Sequence, residues 1–141
     1  MAISEHCTKQ DVICAFTSAS VTTAATGTII DTAHHELGVY FALVCTTFAT
    51  GTFTLTIYES DAADFDSGAG TLVPAANLIY STACTVGAAT AGGVYAAKQG
   101  CFGTKRYLRV TLTGSDTPSG TCSAWCIKDA ELAPTPQRST T

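Results

Sequence analysis

Charge is what this sequence has least of. Lys, Arg, Asp and Glu together make up 13% of its 141 residues, about half the usual share for a soluble domain. The net charge is −4, and the densest basic group is only Lys105, Arg106 and Arg109. Neutralising phosphates requires a basic face, so nucleic acid is excluded as a partner. Long uninterrupted apolar runs are also missing. The best stretch, residues 37 to 57, is broken by Gly51 and by six threonines between Thr46 and Thr56, a pattern of two strands and not of a membrane-spanning helix. The opening residues "MAISEHCTKQDV" lack the charged-then-apolar order of a secretion signal, so the chain is expected to be made in, and to stay in, the cytoplasm. No phosphate-cradling glycine loop is present, since Gly92-Gly93 has no Lys-Ser or Lys-Thr after it. No serine or cysteine sits in a nucleophile elbow.

What the chain does have is neutral surface rich in Thr, Ala, Ser and Gly, with 46% hydrophobic residues. Such a surface suits a protein that packs against partners, and it also suits a plain β-protein with outward threonines. At this length one core can form without staples. Period-two alternation recurs. In "TFTLTIYE" Phe53, Leu55 and Ile57 oppose Thr52, Thr54 and Thr56, and in "RYLRVTLT" Leu108, Val110 and Leu112 oppose Tyr107, Arg109, Thr111 and Thr113. Each is a strand with one face in a core. "LGVYFALVC", residues 37 to 45, is apolar on both faces and belongs in the middle of a sheet or beneath a subunit interface. Shorter strands are expected over 12–16, 28–31, 77–81, 94–98 and 121–128. Turns are expected at Ala49-Thr50-Gly51, Asp66-Ser67-Gly68, Gly92-Gly93 and from Gly114 to Gly120, with an exposed loop over 85–93. The fold class is therefore all-β, an antiparallel β-sandwich of jelly-roll type. Residues 1–132 form one domain with an N-terminal arm over about 1–11, and 133–141, "APTPQRSTT", form an extended tail.

Four groups could carry chemistry. Seven cysteines, Cys7, Cys14, Cys45, Cys84, Cys101, Cys122 and Cys126, without C-x₂-C spacing, read as reduced thiols serving as small hydrophobes. Cys122 and Cys126 on one strand lie about 13 Å apart, beyond the reach of a disulfide. Asp61, Asp64 and Asp66, followed by Ser67 and Gly68, offer oxygen ligands for calcium, but the spacing is only a fragment of an EF-hand loop, so a turn is expected. His34, His35 and Glu36, with a distant His6, could bind a metal only if adjacent strand residues shared a face, which they do not. Cys101 between glycines has no base beside it in sequence. No catalytic, cofactor-binding or metal-binding residue is assigned, no cofactor is required, and the chain is expected not to be an enzyme.

The order of phrases "ESDAADFDSGAGTLVPAANLI" and then "GTKRYLRVTLT" resembles small β-rich structural proteins encoded by tailed bacteriophages. In both, a strand ending Glu-Ser-Asp is followed by a loop aromatic, here Phe65, and later by a long strand opening Lys-Arg-Tyr-Leu-Arg. The likeness spans about residues 31 to 113. In size and strand count the chain is most similar to the jelly-roll cement proteins that decorate capsids of the Bordetella podovirus type, from which its many cysteines and Thr-Pro tail depart. The resemblance implies a virion protein on the capsid exterior that binds and stabilises the assembled lattice. Its partners would be the major capsid protein and a second copy of itself, with no nucleic acid and no membrane. A tail or head–tail adaptor protein is the alternative within that class. A carbohydrate-binding β-sandwich module is the alternative outside it, although Trp125 is the single tryptophan available as a sugar platform.

Because residues 133–141 carry no core-forming alternation, their deletion is expected to leave the melting temperature within about 1 °C of the full chain. A fall of several degrees in a thermal scan would show that these residues pack on the domain.

Overall fold

The computed structural model describes residues 10–33, 39–79, 84–87, 93–102 and 104–129. They form an all-β antiparallel sandwich. Its strands are β1 (Gln10–Val21), β2 (Ala24–Thr26), β3 (Ile30–Asp31), β4 (Val39–Ser60), β5 (Thr71–Leu72), β6 (Cys84–Gly87), β7 (Gly93–Cys101) and β8 (Tyr107–Asp129). Short 3-10 turns lie at Phe65–Ser67 and Ala75–Asn77, and there is no α-helix among the described residues. It follows that no described helix is long and apolar enough to cross a membrane.

Two very long strands build both sheets. β4 (22 residues) and β8 (23 residues) pair with each other from Val39↔Lys128 to Ser60↔Tyr107. Around residues 39–48 and 119–129 the sheet runs β1–β8–β4–β7; around 50–60 and 107–115 it runs β2/β3–β8–β4–β5/β6. The ladder breaks between Thr46 and Thr50 and again before Thr52, and there the ribbon folds over on itself. Phe48 and Phe53, on either side of the break, stack with ring centroids 5.1 Å apart. Leu43 and Leu55 would lie about 40 Å apart on a straight strand, yet with Leu112 and Ala124 they line one narrow interior gap.

The turns expected at Ala49–Gly51 and Gly114–Gly120 therefore exist as bends inside paired strands, not as hairpin ends. Backbone geometry makes the fold-over. Thr47, Asp116 and Thr117 take positive φ (48°, 60° and 51°) and Gly51 takes +79°, a region costly for residues with a Cβ. Hydrogen bonds hold the bend: Thr50 Oγ1 donates to the Thr117 carbonyl (2.8 Å), and Thr47 Oγ1 donates to Thr121 Oγ1 (3.2 Å).

Alternation decides the rest. Phe53, Leu55, Ile57, Leu108, Val110 and Leu112 are all buried from the far half, against Phe41, Leu43, Cys45, Cys122, Ala124 and Cys126 from the near half. The expected strand at 77–81 is instead the 3-10 turn followed by a bridge at Leu78↔Cys101, with 80–83 outside the described residues. Of the expected loop 85–93, Thr85–Gly87 belong to β6, Gly93 begins β7, and the remainder lies outside. Residues 1–9 and 130–141 lie outside as well.

A Cβ at Gly51 would come within 2.6 Å of both the Pro118 Cα and the Ser115 carbonyl oxygen. Gly51→Ala thus adds a backbone clash to an unfavourable φ and is expected to destabilise the fold by about 2–4 kcal/mol. Urea unfolding checks this, and a loss below about 0.5 kcal/mol would mean that the bend does not depend on this residue.

Candidate functional site

The strand register sorts every outward side chain onto one of two faces. On the far sheet the outward rows are Ala24–Thr113–Thr54–Thr85 and Thr26–Thr111–Thr56, followed by Arg109–Tyr58–Leu72, whose leucine is 55% exposed. The first two rows are covered by hydroxyl groups, and Thr54 and Thr85 share a hydrogen bond across them (3.2 Å). The near sheet differs. Its outward rows are Val12–Ile127–Tyr40–Gly100, Cys14–Trp125–Ala42–Lys98 and Ser123–Val44–Ala96. Val12 is 63% exposed and Trp125 42%. Lys98 brings the one charged side chain of these rows. A flat sheet surface of this composition is the candidate docking face, since large apolar patches rimmed by polar residues mark interaction sites. The segment 37–45, apolar on both faces in sequence and described from Val39 onward, supplies its centre, with Tyr40, Ala42 and Val44 outward and Phe41, Leu43 and Cys45 in the core.

Both sandwich edges carry backbone hydrogen bonds outside the strand ladders, and on the β7 side Ile79 N donates to the Gly100 carbonyl and Phe102 N to the Asn77 carbonyl (both 2.8 Å). On the β1 side the link between β2 and β3 ties the sheets together, with Gly27 N donating to the Val110 carbonyl (2.8 Å) and Thr28 N to the Ala15 carbonyl (2.9 Å). On the β7 side a groove of about 180 Å³ remains, lined by Leu55, Ile57, Leu72, Val73, Leu78 and Gln99 among others. Gln99 is 2% exposed. Its Nε2 donates to the Gly100 carbonyl (3.2 Å), and its Oε1 has no hydrogen-bond partner among the described residues. A buried unpaired amide oxygen is uncommon.

The acidic loop is folded into a turn. Asp64 Oδ1 accepts from Asp66 N (2.9 Å), Asp61 Oδ2 lies 3.6 Å from Lys105 Nζ, and Phe65, Asp66 and Ser67 all have positive φ. Phe65 is a buried plug: the Arg109 guanidinium lies 4.4 Å over its ring, and Arg109 Nη2 donates to the Gly68 carbonyl. The loop aromatic thus anchors the loop to β8. No group of three His, Cys, Asp or Glu among the described residues is arranged to hold a metal ion. His34, His35 and Glu36, and His6, lie outside the described residues.

The thiols are buried, except for half-buried Cys14 and for Cys7, which lies outside the described residues. Burial pushes Cys101 up to about 12, Cys126 to about 12 and Cys84 to about 11, the opposite of what an activated nucleophile needs. Cys101 is therefore a core residue. Spacing along one strand could not reveal that Cys45 stands directly opposite Cys122, with their Sγ atoms 3.2 Å apart. Buried charges close the end of the sandwich. Glu59 accepts from Thr104 N and Thr104 Oγ1 (both 2.8 Å), and Lys128 Nζ donates to the Asp31 carbonyl (3.1 Å). The Asp31 carboxylate takes a bidentate pair from Arg106 Nε and Nη2 (2.9 and 2.8 Å).

No protein-family model matches this chain, and no curated protein does. Solved structures do. The PBSX exported protein XepA superposes with a TM-score of 0.57 at 18% identity, over 93% of this chain and 41% of that one. A chain of the infectious bursal disease virus Gx strain structure gives 0.50 at 16%, over 89% and 34%. The SPBc2 prophage-derived protein YomS gives 0.47 at 10%, over 84% and 91%. The chain thus spans well under half of the first two proteins it matches. At these identities the first two likenesses establish a shared β-sandwich fold.

The Arg106 guanidinium, by hydrogen bonding, holds the Asp31 carboxyl well below the usual carboxylate range. A depressed folded-state value stabilises the fold above the unfolded value of about 3.9, and that contribution is lost as pH falls through the folded one. Asp31→Asn is expected to lower the melting temperature at pH 7, with the difference from wild type shrinking below about pH 4. Melting curves at pH 7, 4 and 2 check it, and a gap independent of pH would overturn the assignment.

Proposed function

We propose that this chain is a bacteriophage virion structural protein that binds the assembled capsid lattice and stabilises it. The observation that carries the proposal is the unlike pair of outer faces. One is mostly a threonine surface, with Arg109, Tyr58 and Leu72 at one end, and the other is a nearly uncharged surface centred on Trp125, Tyr40, Val12, Ile127 and Val44. The phage-like order of strand phrases between about residues 31 and 113 supports the same reading, as does the occurrence of this fold in a virus structure.

The mechanism is linkage. A protein that binds only the expanded shell adds its binding free energy to that state and opposes rupture. The major capsid protein is the partner of the near-sheet face. A second copy packed through the same face about a two-fold axis would make the homodimer on the shell. The chain would act without cofactor or catalysis on the capsid exterior, after synthesis in the host cytoplasm. The groove beside Gln99 favours a second reading, a carbohydrate-binding module, because a buried acceptor in a ring-sized apolar space suits a sugar hydroxyl.

Cosedimentation of the purified protein with expanded shells lacking it tests the first reading. Trp125→Ser is expected to weaken binding tenfold or more, as loss of a central aromatic anchor does, while Thr56→Ala on the opposite face leaves it unchanged. Equal binding by wild type and Trp125→Ser would remove the near-sheet face from the interface. Failure of the wild type to bind shells, together with binding on a glycan array, would replace the capsid reading by the carbohydrate one.

A further inference from the structure

The two long strands bring one pair of thiols together beside the bend. Cys45 of β4 and Cys122 of β8 are direct register partners, both fully buried, with Sγ atoms 3.2 Å apart. Directly opposed residues on antiparallel strands have Cα separations of about 4.5–5.5 Å, inside the range that a disulfide spans. Closing the sulfurs to bond length takes about 1.2 Å of movement. Other buried thiols do not share this geometry. Cys101 and Cys126 pair instead with Val39 and Phe41, and Cys84 lies on β6 opposite Leu55. We propose that Cys45 and Cys122 are an oxidation site, at which a hydroperoxide converts the pair into a cross-strand disulfide that locks the pairing of β4 with β8 beside the bend.

The step balances with hydrogen peroxide as the oxidant. A Cys122 sulfur attacks one peroxide oxygen, the O–O bond breaks, and the products are a Cys122 sulfenic acid and water. The Cys45 sulfur then attacks the sulfenic sulfur and expels hydroxide, which leaves as a second water with the Cys45 proton. Two thiols lose two electrons and two protons, and the peroxide takes them up. The two sulfurs share one hydrogen bond that either can donate, so the roles of the two thiols are interchangeable in this step, and the sulfur that carries more thiolate character reacts first. Access is local, because the ladder is already broken between Thr46 and Thr50, next to the pair, and Thr47 and Thr50 are exposed. An oxidant little larger than water needs only a small opening there. The cross-link would close a loop between residues 77 apart in sequence, and long loops give large stabilisation.

The experiment treats the purified full chain with a small excess of hydrogen peroxide. Free thiols are then alkylated under denaturing, non-reducing conditions, followed by intact mass and peptide mapping. The expected result is loss of two of the seven thiols, a mass lower by about 2 Da through loss of two hydrogens, and a peptide joining Cys45 to Cys122. The melting temperature rises by roughly 5–15 °C and returns to its starting value with dithiothreitol. Cys84→Ala retains the cross-link. Cys45→Ser abolishes it and leaves a Cys122 sulfenic acid that dimedone traps. Seven thiols still free after treatment, or a cross-link that maps to Cys45 and Cys84, overturns the site. A Cys45–Cys122 bond that leaves the melting temperature unmoved overturns its role in locking the strand pairing. Mapping on the unmutated chain decides the site even where a variant fails to fold.

Discussion

The antiparallel ladder between β4 and β8, kept in register across a bend, is the constraint on which the rest of this structure depends. Each strand contributes to both sheets, so the two layers of the sandwich are joined by continuous hydrogen-bonded backbone and not by loops alone. Every shorter strand attaches to one of the two: β1, β2 and β3 to β8, and β5, β6 and β7 to β4. A slip of one residue in that central register would exchange the core set Phe41, Leu43, Phe53, Leu55 and Ile57 for Tyr40, Ala42, Thr54 and Thr56 throughout both sheets. The bend concentrates the cost of this arrangement in a few residues at positive φ, and threonine hydroxyls bridging the two strands offset it.

Polar groups inside the sandwich follow the same economy of placement. Glu59 and Lys128 are buried, and each has a defined partner, the first on Thr104 and the second on the Asp31 carbonyl. Both pin the end of the sandwich at which β3 meets the start of β8, and the Asp31–Arg106 pair continues that cluster into solvent. Gln99 departs from the pattern, with one amide oxygen left unpaired beside the groove on the β7 edge. Desolvating a polar group without a partner is unfavourable.

The functional reading rests on surfaces and not on a reactive centre. A face carrying Trp125, Val12, Ile127 and Tyr40 gives little energy to an isolated domain and can give much to an assembly, since aromatic anchors dominate interface energetics. The threonine rows on the other sheet offer water hydroxyl groups with hardly any charge.

The sequence by itself determined the local alternation and hence the fold class. Period two in residues 52–59 and 106–113 assigns Phe53, Leu55, Ile57, Leu108, Val110 and Leu112 to the core whatever the topology, because side chains on a strand alternate by geometry alone. It also marked 37–45 as apolar on both faces, the segment that from Val39 onward lies in the core with one face and at the candidate interface with the other. What only the tertiary structure decided were relations between distant residues. Gly51 and the segment Gly114–Gly120 signal a change of direction, but not whether the chain leaves the sheet there or bends within it; that depends on cross-strand bonds such as Thr50 to Thr117. Phe65 reads as a loop aromatic, and only its meeting with Arg109 makes it a buried plug. The opposition of Cys45 and Cys122, 77 residues apart, exists because register aligns the two strands, and register is a property of the pair that neither segment carries alone.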